Sequence, residues 1–208
     1  MIRAIIFDLY GTLIQLDRDT HPYLRFARQI HPADPKEVTR RSLLITTRDI
    51  TDFADRLGVT QAGDLTTFDS DLRRDIESSR VFGHASEVLA HLRELGLMLG
   101  LISNVASPYK EPFYRHHLDG HFDFALFSCD IGLRKPDPEI YRKMAESLEV
   151  ELPEALMVGD SRTSDYNGAR NAAMKAVHLQ RHSQDPGGGV IRNLEELPAM
   201  LSYYSKSG

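Results

Sequence analysis

Five apolar runs rich in branched side chains recur along this chain, at Arg3 to Phe7, Leu97 to Ile102, Phe124 to Ser128, Ala155 to Val158 and Lys175 to Leu179, with helical patterns between most of them. Short runs of this kind belong to strands buried on both faces, and their alternation with helices is what a parallel sheet requires. The expected fold is α/β, a doubly wound parallel sheet of the Rossmann-like or flavodoxin-like kind. Val88, Leu89, Leu92 and Leu95 share one helix face that Gly96 ends, and Ile140, Met144, Ala145 and Leu148 form another. Val190-Ile191, followed by Leu194, Leu197, Met200 and Leu201, predicts an edge strand and a closing helix.

The stretch between the first run and the second is far longer than a crossover helix needs, so it holds an insertion. Its periodicity is helical in roughly four pieces. Tyr23, Phe26, Ala27 and Ile30 repeat at helical spacing; Asp34-Pro35-Lys36-Glu37 offers an N-cap, a proline in the first turn and an acid; Ile50, Phe53, Ala54 and Leu57 form a stripe, and Leu65, Phe68, Leu72 and Ile76 a longer one. We expect a helical cap over residues 15–80 and a core of residues 1–14 and 81–208. The stripes read as packing faces of the cap. Arginines 18, 25, 40, 41 and 48 are candidates to meet an anion there, but the acids around them favour surface pairs.

A hydrophobic content of 41% with 26% charged residues in 208 positions supports one sizeable core and argues against disorder and membrane spans. The formal charge of −5 supplies no cationic field for a nucleic acid polymer or an anionic membrane. Small anionic substrates need only local donors and stay open. Cys129 is the one cysteine, which removes disulfides and thiolate zinc sites within this sequence. Asp8 interrupts the first apolar run, so that run is no secretory signal and the expected location is the cytoplasm. Oligomeric state leaves no mark. Asp185-Pro186-Gly187-Gly188-Gly189 reads as a loop and lacks the Lys-Ser/Thr of a P-loop. His116, His117 and His121 cluster, but Gly120 intervenes and we assign them no metal. Pro112 is expected to break a helix begun at Pro108, leaving a long loop.

The polar residues after four of the strands carry the chemistry. Asp8-Leu9-Tyr10-Gly11-Thr12 ends the first, Ser103-Asn104 the second, Lys135-Pro136-Asp137-Pro138 lies beyond the third, and Gly159-Asp160-Ser161-Arg162-Thr163-Ser164-Asp165 follows the fourth. The carboxyl edge of an open α/β sheet is where ligands bind. In order and strand context these segments resemble the four motifs of the haloacid dehalogenase-like (HAD) hydrolases. The likeness runs over the chain outside the cap and includes Asn167-Gly168-Ala169-Arg170-Asn171-Ala172. It implies a nucleophilic first aspartate, Asp8, and in most phosphatases a second aspartate two residues later as general acid. Here that position is Tyr10.

A carboxylate attacking phosphorus forms an acyl phosphate and splits one hard displacement into two easier ones, a role that suits Asp8. Ser103 and the backbone of Asn104 are expected to bind phosphate. Lys135, held in its Pro-Asp-Pro loop, supplies a point charge for the anion and for Asp8. Carboxylate pairs at about 4 Å repel by roughly 4 kcal/mol at an effective dielectric of about 20, a cost that a bound cation removes. The resemblance therefore implies Mg²⁺ held by Asp8, Asp160, Asp165 and the Tyr10 carbonyl. Thr12 sits in the catalytic turn and is expected to fix it by hydrogen bonding.

Two branches of the resemblance compete. Tyr at position 10 and Tyr141, six residues after Lys135, match the L-2-haloacid dehalogenases, which act through an aspartyl ester without metal. Those enzymes have serine where Asp160 stands and asparagine where Arg162 stands, and Arg40 and Arg41 are only approximate matches for their cap arginine. The acidic pair favours a Mg²⁺-dependent phosphatase acting on a small phosphorylated metabolite. A phenol is poorly matched to acid/base work at neutral pH. Tyr10 thus implies an easy leaving group, a slow enzyme, an acid supplied elsewhere, or a packing role. A third alternative is a catalytically idle binding protein of the same fold.

Overall fold

The computed structural model describes residues 1–59, 63–183 and 189–205, with side chains described through residue 201. All five expected runs form strands. In chain order the elements are β1 (Ala4–Phe7), β2 (Ile14–Leu16), α1 (Pro22–Ile30), α2 (Pro35–Ser42), α3 (Ile50–Arg56), α4 (Thr66–Glu77), β3 (Ser79–Val81), α5 (Ala85–Glu94), β4 (Met98–Ser103), α6 (Glu111–Arg115), β5 (Phe124–Phe127), α7 (Ser128–Ile131), α8 (Pro138–Ser147), β6 (Ala155–Gly159), α9 (Gly168–Asn171), β7 (Lys175–Leu179), β8 (Val190–Ile191) and α10 (Leu197–Ser205).

Six strands form one parallel sheet in the order β5-β4-β1-β6-β7-β8. The chain leaves β1, builds outward through β4 and β5, then returns to the other side of β1 for β6. That reversal puts the crevice at the carboxyl end of the central strand. β1 alternates between two cores. Ile5 and Phe7 face Val88, Leu89 and Leu92 of α5, while Ala4 and Ile6 face Ile140, Met144 and Leu148 of α8. Being covered on both sides, the strand is apolar at every position.

Helices α1 to α4 converge on a third apolar cluster, which includes Tyr23, Phe26, Ile50, Phe53, Phe68 and Leu72 and takes in Ala106 from the loop after β4. The expected N-cap forms: the Asp34 carboxylate accepts the Glu37 N–H at 3.1 Å.

Two features depart from the sequence reading. β2 and β3 pair as an antiparallel ribbon, Ile14 opposite Val81 and Leu16 opposite Ser79, so that positions 15 and 80 face each other within it. Each strand is three residues long, too short to show alternation. Pro112 does not leave a long loop. A 3₁₀ turn at Ser107–Lys110 hands over to α6, and Pro112 occupies the first turn of that new helix, where no N–H is needed. Apart from Gly189, the Asp185–Gly189 run lies outside the described residues. No helix among the described residues is long and apolar enough to cross a membrane.

Candidate active site

Asp8 leaves the sheet directly after Phe7, which lies between Leu101 and Val158, and its N–H still bonds the Val158 carbonyl at 3.0 Å. The chain then turns tightly. The N–H groups of Leu13 and Ile14 both reach the Leu9 carbonyl, at 2.8 and 2.9 Å, and Gly11 N–H reaches the Ile14 carbonyl at 2.8 Å. None of these bonds ends on the Tyr10 carbonyl, which the turn leaves available. Gly11 has φ of +79°, and a Cβ there would run into the Asp160 carboxylate. Only glycine satisfies both conditions.

Lys135 joins the acids. Its Nζ lies 2.6 Å from Asp8 Oδ1 and 2.6 Å from Asp165 Oδ1, with the lysine 1% exposed. A buried ammonium is tolerable because two carboxylates meet it. Asp165 comes from a single π-helical turn, Arg162–Asn167, and its Oδ2 accepts the Ser161 N–H at 2.9 Å. Tyr141 donates its hydroxyl to the Ser164 carbonyl, tying that turn to α8. Gly159 lets Asp165 fold back, since a Cβ there would overlap its carboxylate. Asp160 is exposed at the edge of the cluster, and its carbonyl accepts from His178 Nε2 at 2.9 Å.

Asp8, Asp160 and Asp165 can each present an oxygen within 4.8 Å of the others. Burial lifts the Asp8 pKa to about 7; Lys135 works against that rise, while Asp165 and Asp160 add to it. Asp160 is raised as well, by desolvation of its carboxyl in the crowded site and then by Asp165, even though the residue as a whole is exposed. Burial alone would lower Lys135, but Asp8 and Asp165 hold it above its ordinary value. Three carboxylates against one ammonium leave two negative charges when all are ionised. Hard oxygen donors, a Tyr10 carbonyl that takes none of the turn's hydrogen bonds among the described residues, and that residual charge fit one divalent cation of the Mg²⁺ type.

The other expected site residues divide. Ser103 is buried at the end of β4. Asn104, expected to bind phosphate, uses both ends of its amide on the Lys135 backbone: Nδ2 donates to the carbonyl at 2.7 Å and Oδ1 accepts the N–H at 2.8 Å. Its side chain is a clamp on the Lys135 loop, with the second Nδ2 hydrogen not used in these bonds. Thr12 is fully buried, and its hydroxyl has no partner among the described residues, so it does not fix the turn as expected. Tyr10 donates its hydroxyl to the Tyr109 carbonyl at 2.8 Å and meets that ring edge-on, and burial pushes its pKa up. It packs between segments and does not offer a proton to the cluster.

The arginines of residues 15–80 behave as surface pairs where their partners are seen: Arg25 with Asp71 at 2.6 Å, Arg40 with Glu37 at 2.5 Å and Arg48 with Asp52 at 3.6 Å. Sequence reasoning missed Arg181. It donates to the Gly11 carbonyl and, at 2.8 Å, to the Thr12 carbonyl, and lies 3.5 Å over the Phe82 ring. Its position just after β7 was the one available sign.

A cavity of about 400 Å³ opens beside this cluster, bordered by Tyr10 and Gly11 of the turn, by Asn104, and by residues of α1 and α2.

Comparison with known proteins adds three findings. The sequence profile of haloacid dehalogenase-like hydrolases matches residues 2–173. Among curated relatives, a glyceraldehyde 3-phosphate phosphatase of Pyrococcus abyssi is 42% identical over 45% of this chain and 40% of its own length. A phosphoserine phosphatase of Thermus thermophilus is 36% identical over 51% and 44%. The matched stretch thus spans less than half of either relative. Among solved structures, a HAD phosphatase from Thermococcus onnurineus superposes with a TM-score of 0.65 at 25% identity, covering 96% of this chain and 98% of its own. A 2-haloacid dehalogenase from Pseudomonas syringae pv. Tomato DC3000 superposes at 0.68 and 22% identity over 98% and 100%, a likeness of fold.

Proposed function

The chain belongs to the haloacid dehalogenase-like hydrolases, and we propose that within them it hydrolyses a small phosphomonoester through an aspartyl phosphate on Asp8, with Mg²⁺ as cofactor and residues 15–80 as the cap over the site. The observation that carries this reading is the convergence of Asp8, Asp160 and Asp165, two of which are bound by one buried lysine. Such a cluster repels a substrate carboxylate unless a cation is present, and it suits a phosphoryl group once one is.

Lys135 holds one Asp8 oxygen, which aims the other toward phosphorus. Its charge stabilises the negative charge that builds on the phosphoryl oxygens. Ser103 donates its hydroxyl to that group, assisted by the backbone of Asn104. Asp8, Asp160, Asp165 and the Tyr10 carbonyl would hold Mg²⁺, which when bound neutralises the carboxylates and the phosphate together. Water then cleaves the acyl phosphate and restores Asp8. Phosphatases among the relatives support this class of substrate.

The test is hydrolysis of an activated aryl phosphate with and without a chelator. We expect turnover in Mg²⁺ that EDTA abolishes and added Mg²⁺ restores. Full activity in EDTA would reject the metal, and metal-independent release of chloride from 2-chloropropionate would replace the reading with halide displacement. Against the latter, Arg40, one of the two approximate matches for the dehalogenase cap arginine, is already paired with Glu37.

A further inference from the structure

The cavity beside the nucleophile turn is unlike the charged cluster next to it. At about 400 Å³ it has room for a ring-sized group. Tyr10, Tyr23 and Tyr109 form one wall, with the Tyr109 centroid 5.9 Å from that of Tyr10 and 6.5 Å from that of Tyr23. Leu24, Leu43 and Val105 extend the apolar surface. Among the described residues no arginine or lysine lines it.

Most of its polar side chains are already bonded within the protein; the exceptions are Gln15, which is exposed, and the buried Tyr23 hydroxyl, which has no partner among the described residues. The Tyr10 hydroxyl donates to the Tyr109 carbonyl at 2.8 Å and the Tyr109 hydroxyl to Asp75 at 3.3 Å. Thr39 donates to the Pro35 carbonyl at 2.9 Å and Ser42 to the Thr39 carbonyl at 2.7 Å. Asp19 and His21 pair with each other at 2.8 Å, both exposed at the rim. A sugar or a second carboxylate entering here would lose water and gain little in return. An aromatic face meets matching surface.

A second observation points the same way. The position two residues after the nucleophile carries a phenol whose proton is already committed to a carbonyl, so no acid stands there for the leaving oxygen. An alkoxide needs that proton in the transition state. A phenolate, whose conjugate acid ionises near pH 10, needs it far less.

Resting on the phosphatase reading above, we propose that the substrate is a small aryl phosphomonoester without a second anionic group, its ring held in the Tyr10–Tyr23–Tyr109 cavity and its phosphate facing Asp8. An Asp8 oxygen bonds to phosphorus as the bond from phosphorus to the aryl oxygen breaks. The phenolate leaves with the electron pair and takes its proton from solvent. Water then attacks the phosphorus of the acyl phosphate, releasing inorganic phosphate and the free carboxylate.

The test measures kcat/KM of the Mg²⁺-loaded protein on phenyl, benzyl and 4-carboxyphenyl phosphates, 2-phosphoglycolate and glucose 6-phosphate. Phenyl phosphate should exceed benzyl phosphate, which has the ring but an alkoxide leaving group, by about 10²-fold. It should exceed 4-carboxyphenyl phosphate by about 10-fold, and Leu43→Arg, at a half-buried position, should erase most of that second preference. Benzyl or glucose 6-phosphate turned over as fast as phenyl phosphate overturns the aryl assignment while leaving the phosphatase reading intact. A preference for 4-carboxyphenyl phosphate overturns the exclusion of a second anionic group, and a preference for 2-phosphoglycolate overturns both parts of the assignment, each leaving the phosphatase reading intact. Turnover of none of the five overturns both.

Discussion

The floor of the site and the wall above it solve opposite problems. On the floor, Asp8, Asp165 and Lys135 are charged and almost without solvent, and each depends on the others. In the wall, Tyr10, Tyr109, Thr39 and Ser42 carry polar groups that are already satisfied, leaving carbon toward the cavity. On the proposed reading, reactivity comes from charges the fold keeps close together, and selectivity from polar groups the fold has put out of reach. Removing one floor residue strands a charge, whereas removing one wall hydroxyl leaves a small local defect.

Substitutions can break that contrast, the floor first. Asp8→Asn is expected to lower kcat by at least about 10³-fold in a phosphate-release assay, and retained turnover would end the nucleophile assignment. Lys135→Met leaves Asp8 and Asp165 facing each other without a cation. In metal-free buffer it should cost about 3–5 kcal/mol by urea unfolding, and a loss under about 1 kcal/mol would mean the pairing does not hold the floor together. Mg²⁺ should raise the melting temperature of the native chain. Asp160→Asn should shift the midpoint of that titration upward by about 10-fold, equivalent to about 1.4 kcal/mol.

The wall should respond less. Tyr10→Phe removes a hydroxyl that donates to the Tyr109 carbonyl, so stability should fall by about 1 kcal/mol with kcat changed less than about threefold. A collapse of kcat with folding intact would return Tyr10 to the chemistry. The smallest effect is expected at Asp75, fully buried in α4. Three hydrogen bonds, two from Thr20 and one from Tyr109, end on its Oδ2, while Oδ1 has no partner among the described residues. Burial raises its pKa, with those bonds working against the rise. The folded state thus binds its proton more tightly than the unfolded state, and stability falls as pH climbs through the ordinary carboxylate range toward the folded value. Asp75→Asn keeps one acceptor and removes the charge. It should stabilise by about 1 kcal/mol at pH 7 and by less near pH 4, and a pH-independent change would show that charge is not the cause.

These two regions also differ in how far the sequence discloses them. The sheet and the floor were legible because each floor residue follows a strand, and parallel strands must bring their carboxyl ends to one edge. The wall was not. Tyr109 lies in a segment whose two prolines suggested a broken loop, yet it supplies the carbonyl for Tyr10 and the hydroxyl for Asp75. Asn104 was placed in the right loop, but its amide turned to Lys135 for reasons of distance in space that spacing in sequence does not carry. Thr12 illustrates the limit in reverse: a residue type that often fixes turns, here with a hydroxyl that has no partner among the described residues.

Arg181 has a consequence in time. It pins the turn that follows Asp8 from 170 residues downstream of Gly11. During synthesis Asp8 is made long before the arginine that steadies its turn, which follows seven of the eight strands among the described residues. That turn can be locked in place only after most of the sheet has been made.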